Sequence, residues 1–179
     1  MDNKEEFLLN LYRIAWNNVN THRDGLWKVL VPYLGFYVVL GDAYDILGKL
    51  GVLMILIGMN TFVIAISINF NLWFVRNMGI TVNIETYFLE NSDYGKLIPI
   101  GYKDKLPFRM REIWMFIVYC VSIVHIFTFA LSFLVIDNYL HLIIISITFV
   151  ISIIFILWWY TYHKNRYEEF KSQALGYHQ

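Results

Sequence analysis

The chain has 179 residues, of which 58% are hydrophobic, 18% aromatic and only 16% charged. An ordinary soluble domain is about a quarter charged, so that class is excluded; the apolar residues gather into long blocks, which makes lipid the solvent for much of the surface. Basic and acidic residues balance at 14 each, so no general attraction to nucleic acid follows from net charge, and the length is that of one domain.

Cys120 is the only cysteine and lies in an apolar run. A disulfide framework, a CxxC pair and a cysteine zinc cluster are all excluded within one chain. The N-terminus reads Met-Asp-Asn-Lys-Glu-Glu, without the basic start and short apolar core of a secretory signal. The first apolar block begins only near Leu26 and is expected to stay in the protein.

From 4 to 20, Phe7, Leu11, Ile14, Ala15 and Val19 share one helical stripe. An amphipathic helix is expected here, lying on the membrane or packing on other cytoplasmic parts. Thr21, Asp24 and Gly25 interrupt its pattern. A first span follows over 27–47, with Pro32 near its start and Asp42 and Asp45 in its last part, so that Trp27 to Leu40 is the embedded portion. Gly48 and Lys49 leave room only for a tight turn before a second span over 50–75.

The segment 76–112 is polar. Ile80, Ile84, Tyr87 and Phe88 recur at helical spacing, so the second helix should continue as an amphipathic cytoplasmic helix to about Asn91; Gly95, Pro99, Gly101 and Pro107 mark loop. A third span over 113–136 and a fourth over 140–160 are separated by a turn at Asp137 and Asn138. The tail, 161–179, is able to extend the fourth helix. The fold class expected is thus all-α and polytopic, four transmembrane helices arranged as two hairpins, in a single membrane domain, with N-terminal and central cytoplasmic amphipathic helices.

Charge gives the orientation. Lys4, Arg13, Arg23 and Lys28 precede the first span, six bases including Arg76 and Arg111 lie in the middle segment, and Lys164, Arg166 and Lys171 follow the last span. Lys49 alone falls on the other side, beside Asp42, Asp45 and Asp137. The positive-inside rule therefore places both termini and the middle segment in the cytoplasm of a prokaryotic inner membrane. Trp27, Trp73, Trp114, Trp158 and Trp159 all fall at the same ends of the spans, where indoles favour the headgroup layer.

Among candidate site residues, His125 lies near the middle of the third span, and an ionisable group there calls for a partner or a function. Ser122, His125, Phe129 and Ser132 share a face that suits either a proton or ion path or hydrogen bonds between helices. Asn60 and Asn69 on the second span, and His141, Thr148 and Ser152 on the fourth, are similar polar contacts. Gly51, Gly58 and Ala65 repeat every seven residues and read as a helix-packing seam within or between subunits. Asp42 and Asp45, three apart on one helix, suit an outer cation vestibule or a hydrated span end. Lys103, Lys105, Arg109 and Arg111 are candidates for a lipid headgroup or a partner, although topology alone already calls for positive charge there. No phosphate-cradling glycine loop, paired-carboxylate motif or Ser-His-Asp pattern occurs, so no enzyme activity, cofactor or metal is expected.

The stretch LYRIAWNNVNTHRDGLWK, the Trp27-Lys28 entry into the first span, NLWFVRN and IETYFL lie within about residues 4–88. Together they resemble the RipA-like family of small bacterial and archaeal membrane proteins, described as octameric. That resemblance implies an oligomeric membrane protein and supplies no activity; the second hairpin, 113–160, has no counterpart in it.

Three functions fit these features. The leading one is a homo-oligomeric inner-membrane protein acting through assembly, pore-like or membrane-perturbing, in stress or antiphage defence. A membrane anchor that recruits a soluble partner through the central segment is the alternative, and a small proton-coupled carrier centred on His125 is the third.

Overall fold

The computed structural model describes residues 3–90 and 110–173. Within them the chain is all-helical: α1 spans Asn3–Asp42, α2 Tyr44–Glu90, α3 Met110–Val135 and α4 Tyr139–Gln173. The loop expected around Gly95 to Pro107, and with it Lys103, Lys105 and Arg109, lies outside the described residues.

Three helices are long and apolar enough to cross a bilayer, within Tyr44–Glu85, Ile113–Val135 and Tyr139–Glu169. The segment expected as the first span is not among them. Buried share falls from 50% in the most apolar stretch of α2 to 28% in α3 and 11% in α4. The second helix is therefore the hub: it packs against α1 on one side and α3 and α4 on the other.

α1 and α2 form one long antiparallel hairpin. Lys4 lies over the Tyr87 ring, Tyr12 donates to Glu85, Asn18 to Asn77, and Tyr33 and Tyr37 to Asn60, so partner numbers sum to a nearly constant value along its length. At 40 residues, α1 is about 60 Å long, twice the hydrocarbon thickness of a bilayer. Each helix thus has the length for a span plus an extension, called here the stalk. Ala15, Val19 and Ile84 are buried in the stalk. Burial, and then the Glu85 carboxylate, push the Tyr12 phenol above its ordinary value.

Two expectations are corrected here. Thr21, Asp24 and Gly25 do not end the N-terminal helix, because α1 runs through them. Thr21 turns its hydroxyl back to the Asn17 carbonyl, and Gly25 sits against the Phe70 ring, where an added Cβ would stand 3.4 Å away. Packing on α2 outweighs their weak helix propensity, so the N-terminal helix docks on α2 as a continuation of the helix over 27–42. Asp42 and Asp45 do not share a helix face either, since α1 stops at Asp42 and α2 starts at Tyr44.

The first turn is completed by Gly48, whose φ of 64° and ψ of 172° interrupt α2 near its start. A side chain at that backbone conformation is strained, which only glycine avoids. At the same end of the molecule, Asn138 opens α4, its side-chain oxygen accepting from the Leu140 N–H at 2.9 Å. Lys49 joins the two turns, donating to the Val135 carbonyl at 3.1 Å and lying 3.9 Å from the Asp137 carboxylate. That carbonyl belongs to the last turn of α3, where no intrahelical donor remains.

If α1 is continuous through residues 21–25, cysteines placed at Asn18 and Asn77 in a Cys120→Ser background should couple rapidly with an oxidant or a short bismaleimide. A pair at Asn18 and Tyr87, out of register by more than two helical turns, should not. Equal coupling of both pairs would contradict the hairpin register.

Candidate polar core linking the four helices

A set of polar side chains is buried where the helices cross. Asn60 of α2 is fully buried. Its Oδ1 accepts from the Tyr33 hydroxyl at 2.8 Å and the Tyr37 hydroxyl at 2.9 Å, while its Nδ2 points at Thr128 Oγ1 of α3 at 3.5 Å. Tyr33 and Tyr37 stand one turn apart on α1, their hydroxyl oxygens 3.0 Å from each other. Three oxygens thus share two phenolic protons. Both protons directed at Asn60 fill the two lone pairs of its carbonyl oxygen, and Thr128 completes the chain by donating to the Val124 carbonyl at 2.8 Å.

His125, one turn from Thr128 on α3, makes the link to α4. Its Nε2 lies 2.9 Å from Ser152 Oγ, and Ser152 itself donates to the Phe149 carbonyl at 2.7 Å. A hydroxyl has one proton, so His125 must donate to Ser152 and is the Nε2–H tautomer. Nδ1 is then an acceptor, and it is buried without a hydrogen-bond partner. The imidazole also stacks on Phe149 at 4.9 Å, which in turn stacks on Phe129 at 4.1 Å.

The structure brings together His125, Asn60 and Ser152 from the residues singled out by sequence, and adds Tyr33, Tyr37 and Thr128. Ser132 is buried but bonds only to its own helix, at the Phe129 carbonyl; Ser122 is half-buried. His125, Asn60 and Ser132 all face inward within one chain, each at most 1% exposed. Asp42 and Asp45 are exposed at the turn end, and Arg111 lies in the first turn of α3.

The seven-residue repeat on α2 divides. Ala65 is buried, and its small side chain lets the Trp159 indole of α4 donate to its carbonyl at 2.9 Å. Gly58 is exposed, with nothing within 4 Å of an added Cβ, and the only near atom at Gly51 belongs to Leu47 on the same helix. Among the described residues, neither glycine is in close contact with a second helix, since no atom of another helix lies within 4 Å of an added Cβ. Trp114 departs from the expected aromatic belt: it is fully buried against Phe70, with Nε1 lacking an acceptor. Trp27, Trp73 and Trp158 are the indoles that remain exposed.

Further polar groups run along the buried face of α2. Thr81 bonds back to Asn77, while Ser67 Oγ and Asn71 Oδ1 are buried without partners. The arrangement is one of hydrogen bonding between helices, and among the described residues no cluster of three His, Cys, Asp or Glu is placed to hold a metal ion. Comparison with known proteins finds no matching family model, curated protein or solved structure.

Replacing Asn60 with leucine leaves one of the two phenolic protons without an acceptor, since one tyrosine hydroxyl is still able to donate to the other, and should cost about 1–3 kcal/mol in a detergent unfolding titration. His125→Leu removes one hydrogen bond while Ser152 keeps its own to Phe149, so its cost should be smaller, about 0.5–1 kcal/mol. The reverse order would show that the imidazole, and not the amide, holds the bundle together.

Proposed function

We propose that this is a four-span protein of a prokaryotic inner membrane, both termini cytoplasmic, that acts through assembly and carries out no catalysis. The observation that supports this most directly is the stalk. Two helices leave the span region without a break and remain paired through Tyr12–Glu85 and Asn18–Asn77. A rigid extension of that kind passes a displacement at its tip into the bundle, since α2 is the helix that touches all the others.

Charge sets the orientation of the proposal. Lys4, Arg13 and Arg76 lie in or beside the stalk and Arg166 beyond the fourth span, which assigns that end to the cytoplasm. The turn end, with Asp42, Asp45 and Asp137, then faces outward. In this reading the first span, expected over 27–47, ends with α1 at Asp42, and the buried acceptor that Asn60 gives Tyr33 and Tyr37 lowers the cost of holding their hydroxyls in lipid.

In this reading the stalk recruits a soluble partner, with Phe7 and Ile14, two turns apart and exposed, at its surface. Copies of the chain associate through the outer faces of α3 and α4, and an octamer like that implied by the RipA-like resemblance is one such assembly. A role in stress or phage defence, with the assembly perturbing the membrane, is the physiological setting proposed. A pore would form between copies or by movement of the helices, because His125 and Asn60 are enclosed within one chain.

Phe7→Ser with Ile14→Ser should abolish capture of a cytoplasmic partner from membranes while the detergent-solubilised particle keeps its mass. A particle whose protein mass equals a single 21.3 kDa chain would refute assembly; partner capture unaffected by the double substitution would refute the stalk surface.

A further inference from the structure

A cleft of about 310 Å³ lies between α2 and α4 at the stalk end of the bundle. Leu72, Trp73 and Arg76 form one wall; His163, Arg166, Tyr167 and Glu169 form the other. The two helices run parallel here, as the Trp159 to Ala65 bond shows, so both reach the end of their apolar stretch at the same level. An exposed aromatic pair, Trp73 and Trp158, marks that level. Indoles of this kind settle among headgroups, and the cleft opens at that level, with Trp73 in its wall.

We propose that this cleft binds the phosphodiester of an anionic phospholipid. Both guanidiniums are held in place by aromatic rings: Arg76 lies 4.8 Å from the Trp73 ring centre, and Arg166 lies 5.7 Å from that of Tyr162 while donating to its hydroxyl at 3.3 Å. His163 Nε2 is buried with no hydrogen-bond partner, a polar atom on the wall of a cleft that contains two cations. Burial, and then the nearby Arg166, hold the His163 imidazole below its ordinary value, so it is neutral at pH 7 and the lining carries two positive charges and the negative charge of Glu169. A phosphodiester brings one negative charge, which leaves the filled cleft neutral. Volume agrees, since about 300 Å³ is the lower end for small-molecule sites, enough for a headgroup whose acyl chains remain outside along the apolar helices.

Lipid is favoured over free phosphate by the chemistry of the rim. Leu72 and Trp73 line the cleft on its bilayer side, and an apolar edge gains from contact with acyl chains but not from an inorganic ion. Phosphatidylglycerol fits the charge balance, whereas the choline of phosphatidylcholine adds a cation to a cleft already net positive. The inference rests on α2 and α4 lying in a bilayer and is independent of assembly and of any stalk partner.

The test uses the full chain in nanodiscs made from equal amounts of phosphatidylglycerol and phosphatidylcholine, with lipids retained on mild detergent release counted by native mass spectrometry. Phosphatidylglycerol should be retained over phosphatidylcholine by about tenfold, as expected of one charge-assisted hydrogen bond. Arg166→Gln, at an exposed position that does not threaten folding, should bring retention close to parity; Arg166→Lys should keep most of the preference, and Arg13→Gln, far along α1, all of it. Excess inorganic phosphate should leave the retained lipid in place. Equal retention of the two lipids, a preference that survives Arg166→Gln, or displacement by inorganic phosphate would each overturn the proposal. A chain that fails to enter nanodiscs at all would instead defeat the bilayer reading on which the cleft depends.

Discussion

The architecture depends on Asn60. A primary amide has two hydrogens to give and an oxygen with two lone pairs, and here that oxygen accepts from α1 while an N–H points to α3. In hydrocarbon, apolar faces gain little by leaving lipid for each other, so packing and hydrogen bonds must specify which helices associate. Asn60 supplies that specification at a point where α1, α2 and α3 come together. The bond between His125 and Ser152 does the same for α3 and α4.

Around this point, the helices divide by how much of their surface the chain itself covers. α2 is covered from several sides, and its polar residues are correspondingly numerous: Asn60, Thr61, Ser67, Asn71, Asn77 and Thr81 are all buried. α4 shows the opposite pattern. Ile143, Ile147, Val150, Ile151, Ile154 and Leu157 are exposed along it, and its inward-facing polar contacts include Ser152 and the Trp159 indole. Burial of polar groups thus tracks distance from lipid, as expected where an unsatisfied polar atom in hydrocarbon costs several kcal/mol.

Much of the helical layout was legible in the sequence, because blocks of apolar residues and the short turns at Gly48 and Asp137–Asn138 leave few alternatives. The continuity of α1 was not, since Thr21, Asp24 and Gly25 are poor helix formers locally and the ring that accommodates Gly25, Phe70, is 45 residues away. Asn60 and His125 stood out as polar residues in apolar runs. Tyr33 and Tyr37 did not, because tyrosine is common in span ends and interfaces. One signal was present: with a tight turn near Gly48, an antiparallel hairpin brings residues in the thirties opposite residues near 60, and two tyrosines one turn apart then face the asparagine. Trp114 was misplaced for a related reason, since its position at a span end matches a headgroup indole, and only the neighbouring Phe70 reveals that it points inward.

The long hairpin also makes the stalk continuous with the bundle, since α1 and α2 run unbroken from one into the other. A bend at residues 21–25 would have allowed the N-terminal helix to lie flat on the membrane, decoupled from the spans. With α1 unbroken, rotation or sliding of α1 against α2 must change the register at Tyr12–Glu85, at Asn18–Asn77 and, farther along the same two helices, at Tyr33–Asn60. Packed cores tolerate discrete rearrangements better than continuous deformation. The tyrosine pair offers such a discrete choice, because three oxygens share two protons, and either hydroxyl is able to donate to the other in place of Asn60. Exchanging one pattern of donation for another leaves no phenolic proton unpaired, so the hydrogen bonds at this contact are able to rearrange while α1 stays tied to α2.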